Sequence, residues 1–269
     1  MFFNFKKKPK IEFYNICQGL EKINPPIYAR KEPLPKWVKE HAADSKKWLE
    51  ENKIPTSARF SIEKCPGIRG VMDLGFHLKT WQDISLFLNP DGSFKWHMPN
   101  QLSFFNPNAK FIEPEVQFHT ANQFPAFCNS REDTFPTIVK IITPWRAKMP
   151  KGWVFLLLPV FYSDNPWFSA VPGIWNPEYG RHLNINLQIH KKAGSSVFFP
   201  AGISIVKMLP INLNENIEFS VREISKQEEK AEQIAIPSIR TSFVPSRKKQ
   251  REHIDKIYES KCPFLSKFL

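Results

Sequence analysis

Leu183-Asn184-Ile185-Asn186-Leu187-Gln188-Ile189 alternates apolar and polar residues without a break, and every polar side chain in it is neutral. A strict period of two marks a β-strand with one buried face, because successive side chains leave a strand on opposite sides. Neutral amides on the second face let that face meet a pocket or a second subunit without stranding charge. The stretch that follows repeats the theme. Val197-Phe198-Phe199, then Pro200-Ala201-Gly202, then Ile203-Ser204-Ile205-Val206-Lys207-Met208-Leu209 reads as a strand, a tight turn and another strand. Upstream, Trp153-Val154-Phe155-Leu156-Leu157-Leu158-Pro159-Val160-Phe161 is the longest apolar run of this region, and it has strand length, far short of a membrane span.

Further out, short strands are separated by turn signals. Ile84-Ser85-Leu86-Phe87-Leu88 enters Asn89-Pro90-Asp91-Gly92 and resumes as Ser93-Phe94-Lys95-Trp96, a hairpin with a Pro-Asp-Gly turn. Val116-Gln117-Phe118-His119 and Thr137-Ile138-Val139-Lys140-Ile141-Ile142 add strands, and we read all of these as one sheet system. Residues 1–60 are charged and broken by Pro25-Pro26, Pro33 and Pro35; they read as an N-terminal extension of extended segments with one helix at residues 35–52. On that helix Trp37, Val38, His41, Trp48 and Leu49 recur at helical spacing, as a stripe for docking on the main domain. Residues 61–215 form the β core. Residues 216–269 read as a basic extension with two charged helices, at 225–233 and 246–260.

Composition fits this layout. Among 269 residues there are 24 Phe, 8 Trp and 24 Pro against 10 Gly, a mixture suited to sheets joined by stiff loops. The net charge of +12 favours acidic partners, nucleic acid among them, and much of the excess sits in Lys6-Lys7-Lys8-Pro9-Lys10 and Arg247-Lys248-Lys249-Gln250-Arg251. Cys17, Cys65, Cys128 and Cys262 have no zinc-site spacing and read as reduced, buried thiols. The start lacks a signal-peptide apolar region, so the expected location is the cytoplasm, a host cytoplasm or a virion included.

Three blocks, in order, resemble the dUTPase and dCTP deaminase family over residues 143–211. The first is the turn Met149-Pro150-Lys151-Gly152-Trp153. The second is the hairpin Pro172-Gly173-Ile174-Trp175-Asn176-Pro177-Glu178-Tyr179-Gly180-Arg181-His182-Leu183 with its alternating strand, and the third is Phe199-Pro200-Ala201-Gly202 with its apolar strand. The resemblance implies a β-clip (dUTPase-like) barrel or sandwich, here with helical N- and C-terminal extensions. It also implies a deoxynucleotide pocket at Gly173, Asn176, Tyr179 and Asn186. The family carries a catalytic Asp where this sequence has Asn176 and, in the deaminases, a Glu where it has Asn186. An amide does not take up a proton near neutral pH, so neither position can serve as a general acid or base. The family's Arg-Ser segment is replaced by Phe161-Tyr162-Ser163-Asp164-Asn165-Pro166, and its Gly-rich C-terminal motif is missing. The resemblance therefore implies the fold without the chemistry. Lys64-Cys65-Pro66-Gly67, Phe118-His119 with Gln123, and Pro144-Trp145-Arg146 also make the layout similar to proteins encoded by tailed phages.

Other residues supply further candidates. His119, Gln123, Trp145 and Arg146 can frame a polar pocket, with Trp145 as a stacking face and Arg146 as an anion contact; otherwise Trp145 packs in the core and Arg146 faces solvent. His77, His97, His119, His182 and His190 lack the close ligand spacing of a metal centre, so we expect neither metal nor cofactor. In the tail, Arg247, Lys248, Lys249 and Arg251 are basic, while Ile254, Ile257 and Tyr258 fall at helical spacing, giving an interaction helix with a charged side and an apolar stripe. The expected function is a non-catalytic β-domain structural or interaction protein, a homo-oligomer and by family habit a trimer, held in a virion or other protein assembly through its termini. Two alternatives stand beside it: a dUTPase-like enzyme on deoxynucleotides with relocated catalytic groups, and a nucleic-acid-binding accessory protein acting through basic termini. No single strand shows an aromatic-basic stripe, which counts against the last. No membrane partner is expected.

Overall fold

The computed structural model describes residues 9–16, 19–53, 65–99, 116–119, 122–123, 133–179, 182–215, 220–226 and 229. The chain divides into two compact units, residues 1–53 with 60–216, and residues 54–59 with 217–269. The described part of the second unit includes one helical turn, in which Glu229 N–H donates to Ser225 O at 2.9 Å, inside the first of the two predicted tail helices. The second tail helix and the candidate tail residues from Arg247 to Tyr258 lie outside the described residues.

The first unit is mainly β, and all its strand pairs are antiparallel. In chain order come β1 (Glu12–Asn15), β2 (Ile27–Tyr28), helix α1 (Lys36–Glu51), helix α2 (Pro66–Asp73), β3 (Phe76–Lys79), β4 (Ile84–Leu88) and β5 (Phe94–His97). They are followed by β6 (Val116–His119), β7 (Ile138–Ile142), β8 (Trp145–Lys148), β9 (Trp153–Leu158), β10 (Phe168–Ala170) and β11 (Gly173–Trp175). The last three are β12 (Asn184–Ile189), β13 (Ser196–Phe199) and β14 (Ser204–Asn212). They pair into four sheets: β1-β8, β10-β12-β7-β6, β11-β9-β14-β3-β2 and β13-β4-β5.

That partition corrects the reading of residues 61–142 as one sheet system. Of the strands read as one system, β4 and β5 lie in the three-stranded sheet and β6 and β7 in the four-stranded one. Strand β3, which precedes them, belongs to a third sheet, and the chain turns a corner between β3 and β4. Thr80 N–H donates to Ile203 O at 2.9 Å and its hydroxyl donates to Pro200 O at 2.7 Å, while Gly202 N–H donates to Thr80 O at 2.9 Å. The corner at Thr80 is thus stapled to the turn between β13 and β14. Both strand pairs change sheet at the same place, β13 with β4 on one side and β14 with β3 on the other.

Residues before 33 also do more than extend the core. Strand β1 pairs with β8 and β2 with β3, and Leu20 between them is fully buried. Phe13 stacks on Phe155, with centroids 5.4 Å apart, and Phe155 stacks on Trp175 at 5.5 Å, so one aromatic column joins β1, β9 and β11. Aromatic pairs of this kind add about 0.5–1.5 kcal/mol beyond the area they bury. The core around the column takes the inward residues of every sheet, among them Leu86, Val139, Ile185, Leu187, Val197 and Val206.

The helix expected at 35–52 runs over Lys36–Glu51, and its first turn is capped from a distant loop: Asp164 accepts the N–H of Lys36 at 2.8 Å. Trp37 Nε1 donates to Tyr162 O at 2.7 Å, anchoring the same end. Of the expected docking stripe, Val38 and Leu49 are buried, but Trp48 is 57% exposed and His41 is exposed. Two apolar contacts plus the capped end therefore seat the helix, and Trp48 falls outside that seam. Cys65, at the N-cap of α2, is half-buried, more open than the buried thiol expected there. The other cysteines lie outside the described residues. Among the described residues no helix is long and apolar enough to cross a membrane.

Candidate functional site

The alternating stretch forms β12 with its periodicity intact. Ile185, Leu187 and Ile189 are buried, and Asn184, Asn186 and Gln188 sit half-buried on the other face. Cross-strand partners extend that face: Asn186 stands opposite Lys140 on β7, Lys140 opposite Gln117 on β6, and Gln188 opposite Ser169 on β10. Lys140 Nζ donates to Gln117 Oε1 at 3.2 Å. The side-chain oxygens of Asn184 and Asn186 are buried and have no hydrogen-bond partner among the described residues. A buried amide oxygen left unpaired costs about 1–3 kcal/mol, so Asn184 and Asn186 each leave an unmet acceptor among the described residues.

The hairpin before β12 puts Asn176 into a local turn. Its Oδ1 accepts the N–H of Glu178 at 3.0 Å, and Tyr179 N–H donates to Asn176 O at 3.2 Å. This is an Asx-turn, in which the short side chain mimics a backbone carbonyl. Tyr179 is 85% exposed, and Gly173 begins β11 opposite Leu157.

The other sequence candidates fall at two ends of β7. His119 stands opposite Ile138, where β7 begins, and its Nδ1 meets Gln123 Oε1 at 3.2 Å. Arg146 lies beyond the other end, where Nη1 donates to Thr143 O at 3.1 Å and Trp145 O at 2.9 Å. Five strand residues at about 3.4 Å each separate the two places by roughly 17 Å. His119 with Gln123, and Trp145 with Arg146, are therefore two pairs that do not converge on one pocket. Trp145 is in the core. Arg146 faces neither solvent nor an open anion site: it is 7% exposed, and Nη2 also meets His182 Nδ1 at 2.9 Å. A guanidinium only donates, so His182 accepts through Nδ1 in this contact.

A second site was not singled out in the sequence. Glu32, just past the 3-10 turn Ala29–Lys31, reaches over the five-stranded sheet and takes three donors. His77 Nδ1 lies 2.6 Å from Oε2, while Lys79 Nζ at 2.9 Å and Ser204 Oγ at 2.7 Å both reach Oε1. The register explains the meeting: His77 and Lys79 are two apart on β3, so they share a face, and Ser204 on β14 is opposite Lys79. Burial pushes the Glu32 carboxyl up, but the bonds from His77, Lys79 and Ser204 outweigh it and hold the group at about 2. Lys207, opposite His77, is buried and donates to Met72 O at 3.1 Å and Leu74 O at 2.6 Å at the end of α2. Burial pushes its ammonium down to about 8, against the opposing pull of Glu32 and Asp73.

Glu32, His77, Lys79 and Ser204 floor a groove of about 430 Å³ whose walls include Pro33, Leu34, Pro35, Lys36, Val160 and Phe161. Chemically the floor is a fixed ion-pair network. Glu32 has no proton to give at neutral pH, and both its oxygens are occupied, so its work is to orient His77 and Lys79. The signal that could have exposed it was the pair of basic residues at alternate positions of Phe76-His77-Leu78-Lys79, a strand that must bury one face. Among the described residues no three His, Cys, Asp or Glu side chains gather as metal ligands.

Among known proteins, no family model and no curated protein matches the chain. Among the described residues the structure defines an antiparallel, mainly β protein with helices α1 and α2 placed before β3.

Proposed function

We propose that this chain is a non-catalytic structural or interaction protein on a β-clip frame, phage-encoded and assembling as a homo-oligomer. The observation that carries the reading is Asn176. At the hairpin position where the resembled enzymes hold a carboxylate, its amide oxygen accepts the N–H of Glu178 and shapes a turn. The amide is spent on backbone geometry and has no basicity to offer a water molecule. Gly152 at φ 83° and Gly202 at φ 89°, each at the turn of a resembling block, support the same frame. Purified full-length protein with magnesium is expected to leave dUTP and dCTP unchanged, measured as released pyrophosphate and ammonia. Turnover above the buffer blank that is lost in Asn176→Ala would overturn the reading in favour of an enzyme.

Oligomerisation is supported by the face of Asn184, Asn186 and Gln188. Uncharged amides on a half-buried sheet face can pack against copies of themselves across a symmetry axis, where carboxylates would repel. We expect light scattering to return a trimer, and Asn186→Asp, which places a charge at the shared surface, to shift it toward monomer. A monomeric mass at micromolar concentration for the unaltered chain contradicts this. The basic termini, in this reading, tie the assembly to its surroundings.

A further inference from the structure

The three-stranded sheet β13-β4-β5 buries one face and leaves the other open. Its inward residues, Val197 and Phe199 on β13 with Ile84, Leu86 and Leu88 on β4, belong to the core. The register fixes what stands outside. Ser196, Phe87 and Lys95 form one cross-strand row, and Phe198, Ser85 and His97 form the next. Phe87 is 50% exposed and Phe198 is 53% exposed, and Lys95 and His97 are both exposed.

The grid places the two rings on a diagonal, one per row, each with a serine as its neighbour on the adjoining strand. A serine is too short to cover a ring, and about half of each aromatic side chain stays exposed. On a diagonal of this kind the Cβ atoms lie about 7–8 Å apart, spacing for two separate planar groups. No acidic side chain occurs on any of the three strands, and the chain carries a net charge of +12. The carboxylate at the nearby turn, Asp91, is taken up by the N–H and hydroxyl of Ser93, at 2.8 and 2.6 Å.

We propose that this outer face binds single-stranded nucleic acid, with Phe87 and Phe198 each stacking on a base and Lys95 meeting a backbone phosphate. Exposed aromatic rings on a sheet beside a cation are what sequence-tolerant recognition of unpaired bases requires, since every base offers a π-face. A protein partner fits the face less well. Two rings set apart by serines make a small, divided apolar area, whereas protein docking sites bury a contiguous patch. The sequence hid this face because its aromatic and basic members come from three strands.

The test is fluorescence anisotropy of labelled oligo-dT, oligo-rU and a duplex of the same length, titrated with full-length protein. We expect both single strands to bind more tightly than the duplex. Phe87→Ala and Phe198→Ala are each expected to weaken single-strand binding roughly tenfold, while the far-ultraviolet spectrum stays that of the unaltered chain. Lys95→Ala is expected to lower the salt slope by about the single-strand contribution of one phosphate contact. Equal binding of duplex and single strand, or single-strand binding untouched by both Phe variants, overturns the proposal and assigns the affinity to the basic termini. So does a mass that falls in Phe198→Ala without any nucleic-acid binding, which would make the face a contact between copies.

Discussion

Glu32→Gln is expected to destabilise the protein by about 3 kcal/mol at pH 7 and to remove a defined part of its acid sensitivity. The carboxylate is largely buried, with its side chain 16% exposed, and three donors converge on it. An amide keeps the shape but loses the charge, leaving the Lys79 ammonium without its counter-ion and giving His77 a weaker acceptor. The pH dependence has a fixed sign. Glu32 is held at about 2 in the folded state against an ordinary 4.5, so its stabilisation is fully present above pH 4.5 and is lost as pH falls toward 2. Urea unfolding followed by circular dichroism from pH 7 to pH 2 should show a gap between the two proteins that closes over this window. A gap that is absent at pH 7, or that persists unchanged at pH 2, would show that the network does not hold the carboxyl down.

The same cluster marks where sequence reasoning stops. Strands whose signal is local were legible. The hairpin of β4 and β5 follows from its turn residues: Asn89 N–H donates to Ser93 O at 2.8 Å, as a Pro-Asp-Gly turn requires. Strand β12 follows from seven residues of alternation, and α1 from its apolar spacing and flanking prolines. Partner choice was not legible, because it depends on segments far apart in the chain. Nothing in Glu12-Phe13-Tyr14-Asn15 announces β8 as its neighbour, and nothing around Glu32, set between Lys31 and Pro33, announces that His77, Lys79 and Ser204 will close on it. A lone carboxylate in a charged segment reads as surface until the register of β3 and β14 is known. Candidate residues suffered in the same way. His119 with Gln123 was a local pairing and does form a contact, whereas joining that pair to Trp145 and Arg146 needed the length of β7.

Gly75→Ala should be among the most damaging single substitutions in the molecule, although it adds one methyl group. Gly75 sits between α2 and β3 with φ 75°, a conformation that costs an L-residue about 1–2 kcal/mol. Its surroundings add a second penalty. A Cβ here would run into the carbonyl oxygen of Met208 and the Leu209 side chain. The side chain can turn aside, but the carbonyl cannot: Met208 is fully buried on β14, paired with Phe76 on one side and Leu157 on the other. Gly75 O also accepts the N–H of Ala29 at 3.0 Å, so backing away from β14 breaks the link to the turn that carries Glu32. Strain, clash and the lost bond together are expected to cost more than about 3 kcal/mol, beyond the ordinary range for one substitution. Gly194 supplies the control. It has φ 83° and nothing within 4 Å of a built Cβ, so Gly194→Ala carries the backbone strain alone, about 1–2 kcal/mol. Thermal and urea unfolding of the two variants separates the terms: the excess loss in Gly75→Ala measures the close approach of α2, β3 and β14. If Gly75→Ala proves no worse than Gly194→Ala, β14 yields at Met208, and the packing of that junction is looser than the geometry requires.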